Sequence, residues 1–218
     1  MLFACESIRV KLNKGDKVII TIIDYRAGNA PSVAHAITRL GKTGILAHSA
    51  REIKNASHII LPGVGSAKAT MESLRELELI NALEEAVLRR KTFFLGICVG
   101  MQILFEHSEE EDTGCLGWLC GNVIKFDAAK IRVPQMGWNQ VKFCNNSLSV
   151  QDDYFYFVNS YYARAKNDSD IWGTADYQQV FTAAVHRDNI FATQFHVEKS
   201  GEAGLELLDA FLKLKGDA

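Results

Sequence analysis

The chain has 218 residues, a length that predicts one domain or at most two. It carries 24 Lys and Arg against 26 Asp and Glu, and the resulting charge of -2 argues against bulk electrostatic binding of nucleic acid. No apolar stretch reaches the ~18–20 residues that cross a bilayer, and the N-terminus lacks the basic start of a signal peptide. Five cysteines without C-x-x-C spacing fit a reducing compartment. We therefore expect a soluble, cytoplasmic protein.

The first half of the chain alternates predicted strands and helices. Residues 1–17 are weakly patterned and are expected to form an extension before a single domain at 18–218. The predicted strands are 18–23, 44–47, 58–61 and 92–95, and the predicted helices cover 31–40, 66–90 and 101–107. This alternation is typical of βαβ units in a parallel sheet.

After about residue 114 short strands follow one another without long helices between them. The predicted strands are 123–126, 141–143, 154–158, 171–175, 180–185 and 190–195, and a final helix is predicted over 203–214. Their connections contain Gly, Asn and Asp, which favours antiparallel additions to the sheet. The pattern as a whole predicts one α/β domain.

A cysteine between two glycines carries the most chemical information. The segment Gly96-Ile97-Cys98-Val99-Gly100 follows a predicted buried strand and has the G-x-nucleophile-x-G form of a strand-to-helix elbow. Such a turn lifts the nucleophile above the sheet, and the dipole of the following helix favours the thiolate. The alternative interpretation is a buried structural cysteine between two turn glycines.

His196 and Glu198 can supply a base and the acid that orients it. Residues two apart in an extended segment face the same side, so the carboxylate can hold the imidazole as in a catalytic triad. Cys98 lies far away along the chain, and the strand ends of an α/β sheet are where such residues meet. A lone histidine beside a surface acid is the alternative interpretation.

A glycine-rich loop, Leu61-Pro62-Gly63-Val64-Gly65, follows another predicted strand. Its backbone N–H groups can approach a substrate oxygen closely, although a plain strand-to-helix turn is the alternative. Lys68 replaces the third glycine of a dinucleotide-binding fingerprint, so we reject that function. Cys115 and Cys120 lack the ligand set and spacing of a zinc site, and we expect neither a metal nor a cofactor.

Five sequence blocks resemble the class I, or triad, glutamine amidotransferases. The blocks are Asp24-Tyr25 with Gly28-Asn29, Leu61 to Gly65, Leu95 to Gln102, Pro134-Gln135-Met136-Gly137-Trp138-Asn139, and Gln194 to Ser200. Within these enzymes the chain is similar to the glutaminase subunits of imidazole glycerol phosphate synthases. The resemblance implies a flavodoxin-like, three-layer α/β fold with a mostly parallel central sheet and added antiparallel strands.

The resemblance also implies a hydrolase that converts L-glutamine to glutamate and ammonia through a thioester. Cys98 would attack the side-chain amide, His196 would transfer protons, and Glu198 would hold His196. The oxyanion would lie against backbone N–H groups of Val99 and, after a loop rearrangement, of Val64 and Gly65. The residues implied to bind glutamine are Gly63, Gln102, Glu110, Ser160 and Tyr161.

The implied partner is a cyclase subunit with a (β/α)₈ barrel, which forms a heterodimer with the glutaminase. It would use the ammonia to make imidazole glycerol phosphate and aminoimidazole carboxamide ribotide in histidine biosynthesis. The residues implied at the interface are Asn29, Trp138, Asn139, Tyr156 and Lys199.

The sequence departs from the family pattern in three places. Val197 replaces a usual proline, which removes one φ restraint between the base and its acid. Asn159 replaces a frequent histidine, and Arg26-Ala27 replace more glycine-like residues. The last two departures lie where partner contact is expected, so they bear on which partner receives the ammonia.

Three other hypotheses remain open at this point. A paralogous amidotransferase would supply ammonia to an enzyme that amidinates a surface-polysaccharide sugar. A stand-alone cysteine hydrolase, such as a peptidase, would cleave its substrate without a partner. A non-catalytic binding subunit would use the scaffold without its chemistry.

Overall fold

A computed structural model describes residues 18–26, 29–145 and 147–215, so the expected extension at 1–17 lies outside the described residues. The strands are β1 (Ile20–Ile23), β2 (Gly44–Ala47), β3 (His58–Gly63), β4 (Phe93–Cys98), β5 (His107–Ser108), β6 (Thr113–Gly114), β7 (Gly121–Lys125), β8 (Gln135–Phe143), β9 (Asp153–Asn159), β10 (Tyr161–Ala165), β11 (Ile171–Asp176), β12 (Val180–Arg187) and β13 (Ile190–Thr193). The helices are α1 (Ala30–Arg39), α2 (Ala50–Ile53), α3 (Ala67–Glu76), α4 (Leu79–Glu84), α5 (Val99–Gln102) and α6 (Gly201–Leu212). No helix in these three ranges is long and apolar enough to span a membrane.

The strands β2, β1, β3, β4 and β13 lie side by side in that order, and every neighbouring pair is parallel. The apolar, largely β-branched sequence of β1 is buried throughout, as expected for a strand covered on both faces. Since parallel strands end at the same edge, the loops after β1, β3, β4 and β13 meet at one edge of the sheet.

The second half of the chain extends this sheet mainly by antiparallel pairing. Strand β12 lies antiparallel to β13 and also pairs with β10 and β11, and the β8–β9 hairpin joins through β11. The predicted α/β class, a mostly parallel central sheet with antiparallel additions, is confirmed.

The predicted helix over 101–107 is wrong. Helix α5 ends at Gln102, because the carbonyls of Ile103, Leu104 and Phe105 accept hydrogen bonds from residues 116, 119 and 117 instead of from a further helical turn. The side chains of these three residues are buried in a turn. Strand β10 was not predicted, since only Ser160 separates it from β9.

Candidate active site

The nucleophile elbow is formed where β4 turns into α5. Cys98 has φ 56° and ψ -109°, a conformation that non-glycine residues rarely adopt and that is typical of a strained functional turn. A Cβ atom on Gly100 would lie 2.0 Å from the carbonyl oxygen of Leu61 in β3. Position 100, two residues after Cys98, must therefore be glycine if α5 is to pack this closely on β3.

His196 and Glu198 reach the elbow from the end of β13. Thr193 of β13 pairs with Ile97 of β4, so the chain leaving β13 passes directly beside Cys98. His196 Nδ1 and Glu198 Oε1 are 2.8 Å apart, and both side chains are almost completely buried. The imidazole is thus held by the carboxylate, although Glu198 lies in a 3₁₀ turn, Val197–Lys199, and not in the extended segment that the sequence predicts.

The loop after β1 supports this pair from behind. Asn29 Nδ2 donates a hydrogen bond of 2.8 Å to Glu198 Oε1. Glu198 Oε2 is buried and has no partner among the described residues. The sequence resemblance implied that Asn29 faces a partner protein, but its side chain is buried against the acid of the candidate triad.

The ionisation of His196 is coupled to its two neighbours. Burial alone would lower its pKa, but hydrogen bonds and charges from Cys98 and Glu198 prevail and raise the pKa to about 10. Burial opposes the charge of Glu198 too, yet bonds and charge from His196, with the bond from Asn29, lower the pKa of that carboxyl. These contacts therefore favour the charged, imidazolium form of His196 beside an ionised Glu198.

The Cys98 sulfur has two further polar neighbours. Gln194 Nε2 lies 3.6 Å from Sγ, and the carbonyl oxygen of Val158 in β9 lies 4.0 Å from it. A thiol can donate to that carbonyl, whereas a thiolate has no hydrogen and can only accept, as from the Gln194 amide. Gln194 was part of a recognised sequence block, but its contact with the sulfur was not predicted.

A cavity of about 310 Å³ opens over the sulfur. Its lining residues are Val64, Gly65, Cys98, Val99, Gln102, Glu110, Pro134, Val158, Asn159, Ser160, Tyr161, His196 and Lys199. All but three of them were predicted as triad, oxyanion, glutamine-binding or interface residues. The structure thus brings these predicted residues together around one cavity with the candidate nucleophile. Pro134, Val158 and Asn159 were not predicted as site residues. Pro134 begins a recognised block and Asn159 is a departure from the family pattern, but neither position was assigned to the ligand.

Glu110 reaches the cavity from the acidic segment after β5. Its Oε2 accepts a hydrogen bond of 2.8 Å from the backbone N–H of Ala67, the first residue of α3. Burial raises the pKa of Glu110 despite that bond. The carboxylate is therefore tied to the helix that follows the Val64–Gly65 loop, and Gly65 itself has a φ of +96°, which favours glycine.

Gln102 lies at the cavity wall, and both hydrogens of its amide nitrogen are engaged in hydrogen bonds within the protein. Nε2 donates to the carbonyl oxygen of Tyr161 at 3.1 Å and to Gln194 Oε1 at 3.0 Å. An amide nitrogen has two hydrogens, so only Oε1 of Gln102 remains for a ligand. Gly63, also predicted to bind glutamine, does not line the cavity, because it ends β3 and packs beneath Val99 and Gly100.

The predicted interface residues fall into different environments. Trp138 is 56% exposed and makes an edge contact with half-buried Tyr156 across the β8–β9 hairpin, beside exposed Met136 and Tyr154. Lys199 is exposed at the cavity. The Asn139 amide instead donates to the carbonyl oxygen of Asp176 in β11, so it is engaged within the sheet.

The departures from the family pattern also have defined surroundings. Asn159 is buried at the cavity and its Nδ2 donates to the Tyr161 carbonyl at 2.9 Å. Val197 is buried at the start of a short 3₁₀ turn that ends at Lys199. Arg26 adopts a left-handed backbone with φ 71°. Neither Asn159 nor Val197 disturbs the His196–Glu198 pair.

Comparison with known proteins places the chain in a family. Residues 21–214 match the family described as glutamine amidotransferase class-I. A protein of Methanococcus maripaludis, "Imidazole glycerol phosphate synthase subunit HisH 2", is 42% identical over 89% of this chain and 99% of its own length. The HisH subunit of Leptospira interrogans is 41% identical over 90% of this chain and 100% of its own length.

Solved structures show the same fold. A crystal structure of a glutamine amidotransferase superimposes with a TM-score of 0.71 at 16% identity, covering 88% of this chain and 98% of the other. The structure of PurLQS from Thermotoga maritima gives 0.71 at 18% identity, covering 90% of this chain and 98% of the other. The chain belongs to the class I glutamine amidotransferases and, within them, to the family of the HisH subunits of imidazole glycerol phosphate synthase.

Proposed function

We propose that this protein is the glutaminase subunit of an imidazole glycerol phosphate synthase. It hydrolyses L-glutamine to glutamate and ammonia and passes the ammonia to a cyclase subunit with a (β/α)₈ barrel, in histidine biosynthesis. The observation that carries the proposal is the buried His196–Glu198 pair beside Cys98, at a cavity large enough for an amino acid. Relatives about 40% identical over nearly their whole length carry the name of this subunit.

The reaction uses the nucleophile, the base and the cavity that the fold brings together. The Cys98 thiolate attacks the side-chain amide carbon of glutamine. The developing oxyanion is held by the backbone N–H of Val99 and, after a loop rearrangement, by an N–H of the Val64–Gly65 loop. His196 gives its proton to the nitrogen, the C–N bond breaks, and ammonia leaves a glutamyl thioester on Cys98. His196 then takes a proton from water, which attacks the thioester and releases glutamate. Glu198 orients the imidazole and stabilises it whenever it is charged.

Four cavity residues provide groups for the amino-acid end of the substrate. Glu110 offers a carboxylate to the α-ammonium, and Gln102 offers its Oε1. Tyr161 and Ser160 stand on the same wall, where β9 turns into β10. Glu110 must share its carboxylate between the ligand and the Ala67 N–H, so glutamine binding is linked to the start of α3.

The β8–β9 hairpin supplies a surface for the partner. Met136, Trp138 and Tyr154 are each more than half exposed on adjacent strands, and Tyr156 lies between them. Aromatic residues and methionine are enriched at protein interfaces, and an apolar cluster of this kind is costly to leave in water. Lys199 and Pro134 join this surface to the cavity.

The test uses the complex with the cyclase subunit of the same organism. We expect the two chains to co-purify, and the complex to form its product with either glutamine or an ammonium salt. The Cys98→Ala complex should retain only the ammonium-dependent reaction. Glutamine-dependent synthesis by that variant would contradict the glutaminase assignment. Failure to complement a histidine auxotroph, alongside a folded cognate cyclase, would contradict the assigned partner and favour the paralogous amidotransferase.

A further inference from the structure

A buried glutamine lies against the candidate nucleophile on the side away from solvent. Gln194 is fully buried, and its backbone N–H donates to the carbonyl oxygen of Ala183 in β12 at 2.8 Å. Its side-chain Nε2 lies 3.6 Å from Cys98 Sγ, and its Oε1 lies 3.0 Å from Gln102 Nε2. The side chain therefore spans the space between the cavity wall and the sulfur.

The hydrogen-bond network fixes which end of each amide is nitrogen. The Tyr161 carbonyl oxygen can only accept, so the Gln102 atom that faces it must be the NH₂ group. The second hydrogen of that group points to Gln194, which must present its oxygen there. The NH₂ group of Gln194 is consequently the end that faces the sulfur. Each orientation follows from the one before it, beginning at a backbone carbonyl.

We propose that Gln194 is a catalytic residue that donates an N–H hydrogen bond to the Cys98 thiolate, and that Gln102 is the positioning residue that holds its amide in this orientation. The inference rests on the proposed function, since it concerns the sulfur that attacks glutamine. A donor matters at this sulfur because the Val158 carbonyl also contacts it, and a carbonyl oxygen disfavours an adjacent thiolate.

Several ionisable groups surround the same sulfur. His196, which is held by Glu198, lines the same cavity as the sulfur, and the charge of the sulfur acts on buried Tyr25 in the loop after β1. Burial raises the pKa of Tyr25 to about 12, so that phenol stays neutral at working pH. Glu110, Tyr161 and Lys199 lie on the cavity wall. Beside the imidazolium, Gln194 gives the sulfur a second hydrogen-bond donor, and this amide does not titrate with pH.

The test measures the pH dependence of Cys98 alkylation by iodoacetamide, read by mass spectrometry on the peptide that contains Cys98. In the full chain, Gln194→Met should move the midpoint of the alkylation profile upward by about one pH unit, the size expected when an ionised group loses one hydrogen bond. Gln194→Glu keeps the acceptor for Gln102 but turns an oxygen towards the sulfur, and it should move the midpoint in the same direction. The acid limb of kcat/KM for glutamine should move with it.

A neighbouring buried polar residue provides the matched control. Thr193 is also fully buried, and its hydroxyl donates to the carbonyl oxygen of Phe195 without contacting the sulfur. Thr193→Val should leave the alkylation midpoint where it is in the wild type. A folded Gln194→Met or Gln194→Glu protein with the wild-type midpoint would overturn the proposal. This outcome is separate from failure of the proposed function, which would leave glutaminase activity in Cys98→Ala.

Discussion

At the scale of single residues, Asn29 differs most from its sequence-based assignment. The resemblance assigned it to the partner surface, whereas its amide lies 2.8 Å from Glu198 and is buried. Glu198 holds His196, so Asn29 acts on the candidate base through one intermediate carboxylate. The loop after β1 thus contributes to the site without providing a reactive group.

Replacing Asn29 tests this indirect role. Asn29→Leu removes the donor to Glu198 and leaves a buried carboxylate with fewer partners, so we expect kcat for glutamine to fall about tenfold. KM should change little, because Asn29 does not line the cavity. Steady-state ammonia release by the complex measures both constants. A large rise in KM at constant kcat would instead indicate a role in substrate binding.

The charge of His196 provides a second prediction at this scale. Burial lowers its pKa, and Cys98 and Glu198 together raise it to about 10. In Cys98→Ala the contribution of the sulfur is absent while burial remains, so the pKa of His196 should fall below the wild-type value. An NMR pH titration of labelled histidine follows both proteins. An unchanged titration would show that the sulfur and the imidazole do not interact.

At the scale of elements, the sequence predicted the elbow because its chemistry is local. A buried strand, two glycines and a cysteine between them define the turn within a few residues. The contact of β3 with the elbow could not be predicted, because it depends on strands β3 and β4 being neighbours in the sheet. The same holds for Gln194, whose amide reaches Cys98 only because β13 lies beside β4.

The close contact of α5 with β3 predicts different results for two glycines. Gly100→Ala would put a Cβ 2.0 Å from the Leu61 carbonyl oxygen, so the elbow must shift and the free energy of unfolding should fall by ~3 kcal/mol or more. Gly114→Ala is the matched control, since a Cβ at that position would have no other atom within 4 Å and stability should hardly change. Urea unfolding of both variants measures the difference, and equal stability would contradict the packing.

At the scale of the whole molecule, the class of fold followed from the alternation of strands and helices before residue 114. The order of strands did not, because β13 pairs with β4 although about ninety residues separate them along the chain. That long-range pairing places His196 beside Cys98. The apolar patterns show which segments are buried, but the sheet decides which of them are neighbours.

A buried histidine predicts how the stability of the whole molecule depends on pH. Burial between Phe93 and Phe211 lowers the pKa of His58 to about 4, against 6.5 for an exposed histidine. His58 therefore binds a proton more readily in the unfolded chain than in the folded one. The stability that depends on neutral His58 is complete above pH 6.5 and is lost as the pH falls towards 4, in total about 3 kcal/mol.

Urea unfolding at a series of pH values from neutral down towards 4 tests this dependence, because that range spans the two pKa values. In His58→Leu, the free energy of unfolding should fall less steeply with decreasing pH than in the wild type, whatever the effect of the substitution on stability at neutral pH. His35→Leu, at an exposed position of α1, should keep the wild-type steepness. A His58→Leu profile parallel to that of the wild type would contradict the assignment of this acid sensitivity to His58.

The whole function depends on the Cys98 sulfur taking the acyl group of glutamine. The most direct measurement treats the complex with a diazoketone analogue of glutamine and locates the covalent label by peptide mass spectrometry. We predict one labelled residue, Cys98, protection by excess glutamine, and no labelling in Cys98→Ala. A label on another cysteine, or a Cys98 label that glutamine does not prevent, would contradict this role of the sulfur.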